Sequence, residues 1–378
     1  MHDLREVRTL IRQAEALPEG PAQVALFETA LGIAETHRDD ALGYEVRKKM
    51  MFSLYGVGCV DQLLVNYAWC LGYVDRDPNR NGQDLLWSYR WVIDVMWKFP
   101  EVSRLQIESA LADMSRRYRE HGYSQRPIQI LSRRLFNKLG DRKAAAAAHR
   151  TIERHPRDGM SDCRSTESAF HVFHLVWWRK DREAITAGEP FLNGTETEAH
   201  FLICTYGRLL LPLARAGRVA EARKLASQSL RLMTSRPRYL GDADDEIRFL
   251  SVVGDLGAAV KTCNRHLPAR LMKPGRFDRF AICRSARILT ERLLRAGKQR
   301  STLRVPTGLI PGLEGDRCPV PQLAEWLDTE LQWIAEASDA RNGNSFYRDE
   351  LRRMPEYTRL ANRLERDVQA TAIEEENL

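Results

Sequence analysis

The chain has 378 residues, 43% hydrophobic and 29% charged, with 58 Lys and Arg against 51 Asp and Glu for a net charge of +7. This composition, with its regular apolar periodicity, excludes the disordered class; the longest apolar stretch, from Phe201, carries Arg208 and Arg215 and falls short of the ~18–20 residues of a membrane span. So long a chain exceeds one ordinary core, yet no Gly/Ser-rich or Pro-rich linker halves it, which suits stacked repeats that touch only their neighbours.

Residues 1–121 read as irregular helical repeats. The opening MHDLREVRTLIRQAEAL is amphipathic without an apolar core, so it is not expected to act as a secretory signal, and the chain is expected to be cytoplasmic. Pro21 suits the first turn of a helix, Gly56 and Gly58 are expected to break two helices, and Pro100 to stop a tryptophan-rich helix that begins near Gln83.

Residues 122–303 repeat one phrase. Gly140 with Ala145, Arg179 with Ala184, Gly217 with Ala222 and Gly254 with Ala259 place an alanine five positions after a break, and the breaks lie 39, 38 and 37 residues apart. A fixed period of that size marks stacked helical hairpins, because one hairpin cannot bury its apolar face alone. The small residue lets the two helices of a hairpin approach closely. Leu192, Leu230 and Leu267, thirteen positions after three of the breaks, are expected on the buried face of the second helix.

Residues 304–321 hold prolines and glycines without helical period and read as a loop. Residues 322–378 read as capping helices and an acidic tail, opening with an amphipathic stretch that carries Trp326 and Trp333. No alternating β-branched run occurs, so no strand is expected.

The second helices resemble those of the tetratricopeptide repeat class, which read G-x-x-x-E-A with alanine and leucine spaced as here. The period exceeds that family's 34 and its W-x-x-L-G-x-x-Y signature is missing, so the resemblance is to the TPR-like class only. The stretches DRDPNRNG, LLWSYRWVIDVMWKFPEVS, HGYSQRPIQ and RDGMSDC look like those of bacterial TPR-like proteins with no assigned activity. The resemblance implies an all-α, TPR-like solenoid of stacked hairpins in a right-handed superhelix, and no catalytic residue.

Charge is segregated. Residues 115–157 hold 12 Lys/Arg against 3 Asp/Glu (+9), residues 261–304 hold 13 against 2 (+11), and residues 321–378 hold 7 against 13 (−6). The basic blocks either attract an acidic partner, protein or nucleic acid, or are neutralised internally by the acidic C-terminal region folding back; the acidic region after Pro321, joined by the Pro-rich loop and ending in the glutamates of 371–378, is expected to regulate access to a basic surface.

Chemistry-bearing patterns are few. Asp77 to Gly82 matches the first half of a calcium loop, but position twelve is Ser88 and the bidentate carboxylate is missing, which favours an Asn/Gly turn. His171 and His174, three apart near Asp162 and Cys163, are permissible zinc ligands in type but match no established spacing. His200 and Cys204 are too poorly supported for a catalytic pair. The seven cysteines never approach C-x-x-C spacing and read as free thiols. No catalytic, cofactor or metal residue is therefore nominated.

The sequence points to a scaffold or adaptor that binds a protein or peptide partner, expected to be acidic. An RNA-binding repeat protein using the two basic blocks is the alternative, and an enzyme sited between Asp162 and His174 the third. The residues nominated for partner contact are Trp87, Trp91, Arg133, Arg134, Lys138, Arg150, Arg154, His171, His174 and Arg208. Trp87 and Trp91, four apart, share a helix face and are of the type that dominates interface hot spots.

Overall fold

A computed structural model describes residues 4–236 and 239–376, with side chains left out at 4, 368 and 370–376. Of the acidic region expected to regulate access, the side chains of 371–378 lie outside the described ones. The chain divides into two units: residues 1–132, 148–161 and 273–275 form the first, and residues 133–147, 162–272 and 276–378 the second.

The first unit is built from α1 (Leu4–Ala16), α2 (Pro21–Thr36), α3 (Asp40–Val57), α4 (Val60–Asp75), α5 (Leu86–Met96) and α6 (Arg104–Glu120). Each packs on the next in chain order. Pro21 sits in the first turn of α2, where its missing N–H is no loss. Gly58 ends α3, whereas Gly56 lies inside that helix, correcting the expectation of two breaks. A side chain at Gly56 would start 2.7 Å from the Glu19 carboxylate, which accounts for a glycine there without a break. Helices α7 (Arg126–Lys138) and α8 (Arg142–Thr151) contribute residues to both units.

In the second unit follow α9 (Arg164–Trp177), α10 (Asp181–Leu192), α11 (Ala199–Arg215), α12 (Val219–Thr234), α13 (Asp244–Val252), α14 (Leu256–Met272) and α15 (Phe280–Arg295). Pairs α9/α10, α11/α12 and α13/α14 pack as hairpins, and the first helices stack, α9 on α11, α11 on α13 and α13 on α15. The architecture is thus all-helical with packing between consecutive helices, as in an α-solenoid.

The repeated phrase has a local cause. Gly140, Arg179, Gly217 and Gly254 all adopt left-handed backbone, with φ of 74°, 58°, 81° and 80°. In each case the next N–H reaches back five residues, as Asp141 to Phe136, Lys180 to Leu175, Arg218 to Leu213 and Asp255 to Leu250, closing the preceding helix. The same four residues then open the second helix by accepting from Ala145, Ala184, Ala222 and Ala259, and all four alanines are fully buried. The leucine expectation holds only at Leu267: Leu192 and Leu230 are half-buried, because Phe191 and Ser229 take the inward position in those helices.

After α15 come two three-residue antiparallel strands, β1 (Thr302–Arg304) and β2 (Arg317–Pro319), then α16 (Val320–Asn342), α17 (Phe346–Arg352) and α18 (Pro355–Glu376). The strands correct the expectation of none. They pair across the Pro/Gly-rich segment, with Leu303 and Cys318 as buried partners, so burial of two side chains rather than β-branched alternation fixes them. The buried stripe of α16 is Leu323, Leu327, Leu331 and Ile334, while Trp326 is half-buried and Trp333 is exposed under the Arg276 guanidinium, 3.5 Å from its ring.

Candidate functional site

In the first unit the nominated tryptophans form part of an aromatic face. Trp87 is 38% exposed, with Arg90 stacked 3.6 Å from its ring. Trp91, one turn on, stacks with Tyr55 at 5.6 Å and lies 5.4 Å from Phe52, which is 48% exposed. Tyr89 points the other way, buried against Tyr67 with its hydroxyl donating to Asp113 at 3.0 Å. Most of α5 therefore serves the core, and the face of Trp87 and Trp91 is the one turned to the surface. Arg150 and Arg154 are exposed, also in the first unit.

The other nominated residues meet in the second unit. Helix α9 presents Phe170, Phe173 and Trp177, and each ring carries a cation: Arg134 at 3.7 Å, Arg208 at 5.7 Å and Lys138 at 5.1 Å. Arg133 is buried. His171 is half-buried, and His174 is buried, with its Nδ1 accepting from the Asn137 amide at 3.1 Å while the Asn137 carbonyl oxygen accepts from the Trp178 indole at 3.1 Å. That chain fixes the His174 ring as a packing element and turns Nδ1 away from any ligand.

The remaining chemical patterns resolve locally. Asp77 accepts from the Asn79 backbone at 3.0 Å and Asn81 from that of Gln83 at 2.9 Å, two successive Asx turns ahead of α5. His200 pairs with the Tyr239 hydroxyl and stacks on its ring. Cys204 packs at the edge of a core of Ile203, Met233, Tyr239 and Ala243. Among the described residues the seven cysteines form no disulfide, and burial pushes the Cys263 thiol up to about 12, so it stays protonated. Among the described residues no group of three His, Cys, Asp or Glu is arranged to hold a metal ion.

The densest concentration of charge was not legible as a site in the sequence. Asp244, Asp245 and Glu246 form the first turn of α13, where the helix N-terminus favours carboxylates. All three are buried. Gly207 on α11 makes room for them: a side chain there would start 2.8 Å from Glu246 Oε1. Asp245 is shared by Arg208 and Arg248, and these cations, working against burial, hold its pKa below the usual carboxylate range. Burial, then Asp245 beside it, pushes Asp244 up despite Arg208. Burial, then the Asp245 charge, pushes Glu246 up to about 8, and Glu246 accepts from Ser229 Oγ at 2.6 Å.

The network continues to the C-terminal helices. Arg284 on α15 binds Glu350 on α17 at 2.6 Å, and Arg179 pairs with Glu356 on α18. Burial raises the pKa of the adjacent phenol of Tyr357, but Arg284, Arg248 and Arg179 outweigh it and hold the phenol below the usual tyrosine value. Arg179 and Arg38 are the two non-glycine residues with positive φ among the described residues, a strained conformation for a β-carbon-bearing side chain.

The second basic block is answered by the acidic segment. Arg276 binds Glu330 at 2.5 Å, Arg287 binds Asp328 at 2.8 Å, and Arg292 pairs with Glu365, beside the Arg284–Glu350 bridge. Internal neutralisation is therefore the observed fate of much of block 261–304. In block 115–157, Arg117 bridges Asp75 and Asp113, and Arg126 binds Glu153 at 3.0 Å.

No protein-family model matches the chain, and no curated protein matches its sequence significantly. Among the described residues no helix is long and apolar enough to cross a membrane.

Proposed function

We propose that this chain is a TPR-like helical-repeat scaffold that binds a protein or peptide partner, and that the aromatic face of the first unit is the docking surface. The observation that carries it is the exposure of Phe52 and Trp87 beside the stacked Tyr55 and Trp91, an aromatic cluster with Arg90 on one ring. Tryptophan, tyrosine and arginine dominate interface hot spots because they bury large areas at small entropic cost. An acidic partner is less strongly supported than an apolar one, because Arg276, Arg284, Arg287 and Arg292 of the second basic block spend their charge on Glu330, Glu350, Asp328 and Glu365. The same pairing weakens the RNA-binding alternative, since phosphate recognition needs unneutralised cations.

A photo-reactive residue placed at position 52 in the producing cell is expected to crosslink a discrete protein, and Trp87→Ala in the same chain to abolish that product. The same probe at exposed Glu183 in the second unit should give nothing. Identical products from both positions, or a product at 52 untouched by Trp87→Ala, would refute the assignment.

A further inference from the structure

In the second unit the C-terminal segment runs across a stack of helices. Helices α7, α9, α11 and α13 each precede a left-handed break, and α9, α11, α13 and α15 pack in that order. Residues 344–367 reach all five. Phe346 stacks on Trp177 of α9 at 5.6 Å, Arg363 donates to the Arg215 carbonyl of α11 at 3.3 Å, and α18 packs on α13. Glu350 binds Arg284 of α15 at 2.6 Å. The segment is held unequally. Its start is locked on α7: Tyr347 is buried, its hydroxyl donates to the Lys138 carbonyl at 2.6 Å, and the Asn344 amide donates to that of Leu139 at 2.8 Å. Helix α18 is held mainly at its edges. Between 355 and 367 it buries only Leu360, Ala361 and Leu364, and its pairs of Glu356 with Arg179 and Glu365 with Arg292 leave 39% and 51% of the glutamate side chains exposed. Half-exposed pairs add little, and so narrow a buried stripe places α18 among the parts of a fold that open first.

We propose that α18 is a displaceable occupant of this surface, and that the face it leaves accepts from a partner protein an amphipathic helix whose leucine stripe is flanked by carboxylates. Charge complementarity specifies that occupant. Glu356, Leu360, Leu364 and Glu365 fall on one side of α18 at helical spacing, so the receiving face takes leucines inward and carboxylates at its Arg179 and Arg292 edges. With α18 in place both arginines are spent, and a partner helix enters only by exchange. This face belongs to the second unit and stands or falls separately from the aromatic cluster of the first.

The test uses the full chain and, as probe, a fluorescently labelled peptide with the sequence of residues 355–370, its binding followed by anisotropy. Leu360→Asp with Leu364→Asp removes the stripe of α18 and leaves the receiving face unchanged, so this variant should bind the peptide on the order of tenfold more tightly than the original chain does. A peptide carrying Glu356→Gln and Glu365→Gln should bind the variant severalfold more weakly. No binding, equal binding to both proteins, or indifference to the two glutamates would overturn the proposal. So would a dimer of the original chain that the variant loses, which would give the face to α18 of a second copy. Should the variant fail to fold, amide exchange in the original chain decides: α18 should exchange well ahead of α15, and equal protection of the two would rule out a displaceable helix.

Discussion

The two units differ in where their acidic clusters and exposed rings lie. The first buries aliphatic and aromatic side chains along α1–α6 and leaves Phe52 and Trp87 facing solvent. The second buries Asp244, Asp245, Glu246 and Arg248 in the first half of α13 and spends Arg276, just before α15, and Arg284 and Arg292 of α15 on acidic residues of α16–α18. The contrast teaches that net charge along a sequence is a poor guide to surface charge: a block at +11 can be largely consumed inside its own unit.

The contrast breaks most visibly if the buried network is not structural. Asp245→Ala strands Arg248 and leaves Arg208 only the longer 3.7 Å pair with Asp244, and loss of one member of a buried ion cluster costs about 3–5 kcal/mol. Chemical unfolding should register this as a large fall in midpoint; a change under about 1 kcal/mol would place these charges in solvent. Ala222→Leu overpacks a fully buried hairpin contact and should cost about 1–3 kcal/mol in the same assay, and unchanged stability would remove the hairpin assignment.

Glu246 sharpens the contrast through pH. Its folded pKa is raised from 4.5 to about 8, so between those values the folded chain holds a proton that the unfolded chain has released. That stabilisation is complete below pH 4.5 and is lost as pH rises through 8. Glu246→Gln keeps the acceptor for Ser229 without the charge; relative to the original chain it should gain stability steadily from pH 5 to pH 8. Parallel stability–pH curves for the two proteins would contradict the buried state of this carboxylate.

The smallest effects belong to the hairpin turns. Gly217→Arg forces a β-carbon into left-handed backbone and should cost about 1–2 kcal/mol. Arg179→Gly relieves that strain but gives up the half-exposed pair with Glu356, worth about 0–1 kcal/mol, so its net effect should stay within about 1 kcal/mol of zero. A loss above 2 kcal/mol on melting Arg179→Gly would show that the ion pair, not the backbone, decides this turn.

Much of the second unit's fold was legible because its rules are local. The left-handed break and the alanine five residues later follow from one turn geometry, and even Arg179, with no glycine to mark it, was found from spacing. Leu192 and Leu230 were misjudged because a one-residue difference in helix phase moves the inward position to Phe191 and Ser229. Neutralisation of a basic block by the acidic C-terminal region was one of the two readings of the charge pattern, but the individual partners were illegible because they lie 54 residues apart from Arg276 to Glu330, 66 from Arg284 to Glu350 and 73 from Arg292 to Glu365, and only packing brings them together. Trp87 and Trp91 were nominated from residue type and spacing; which of their neighbours would be exposed depended on the contact of α5 with α3.

The central claim, that the second basic block is neutralised within its own unit, is tested most directly by elution from a heparin column. The original chain should elute at low salt, and Asp328→Asn with Glu350→Gln, which frees Arg284 and leaves Arg287 only the longer pair with Glu291, should require distinctly more salt. Tight retention of the original chain, with no further shift on removing those two carboxylates, would contradict internal neutralisation and return the nucleic-acid alternative to the front.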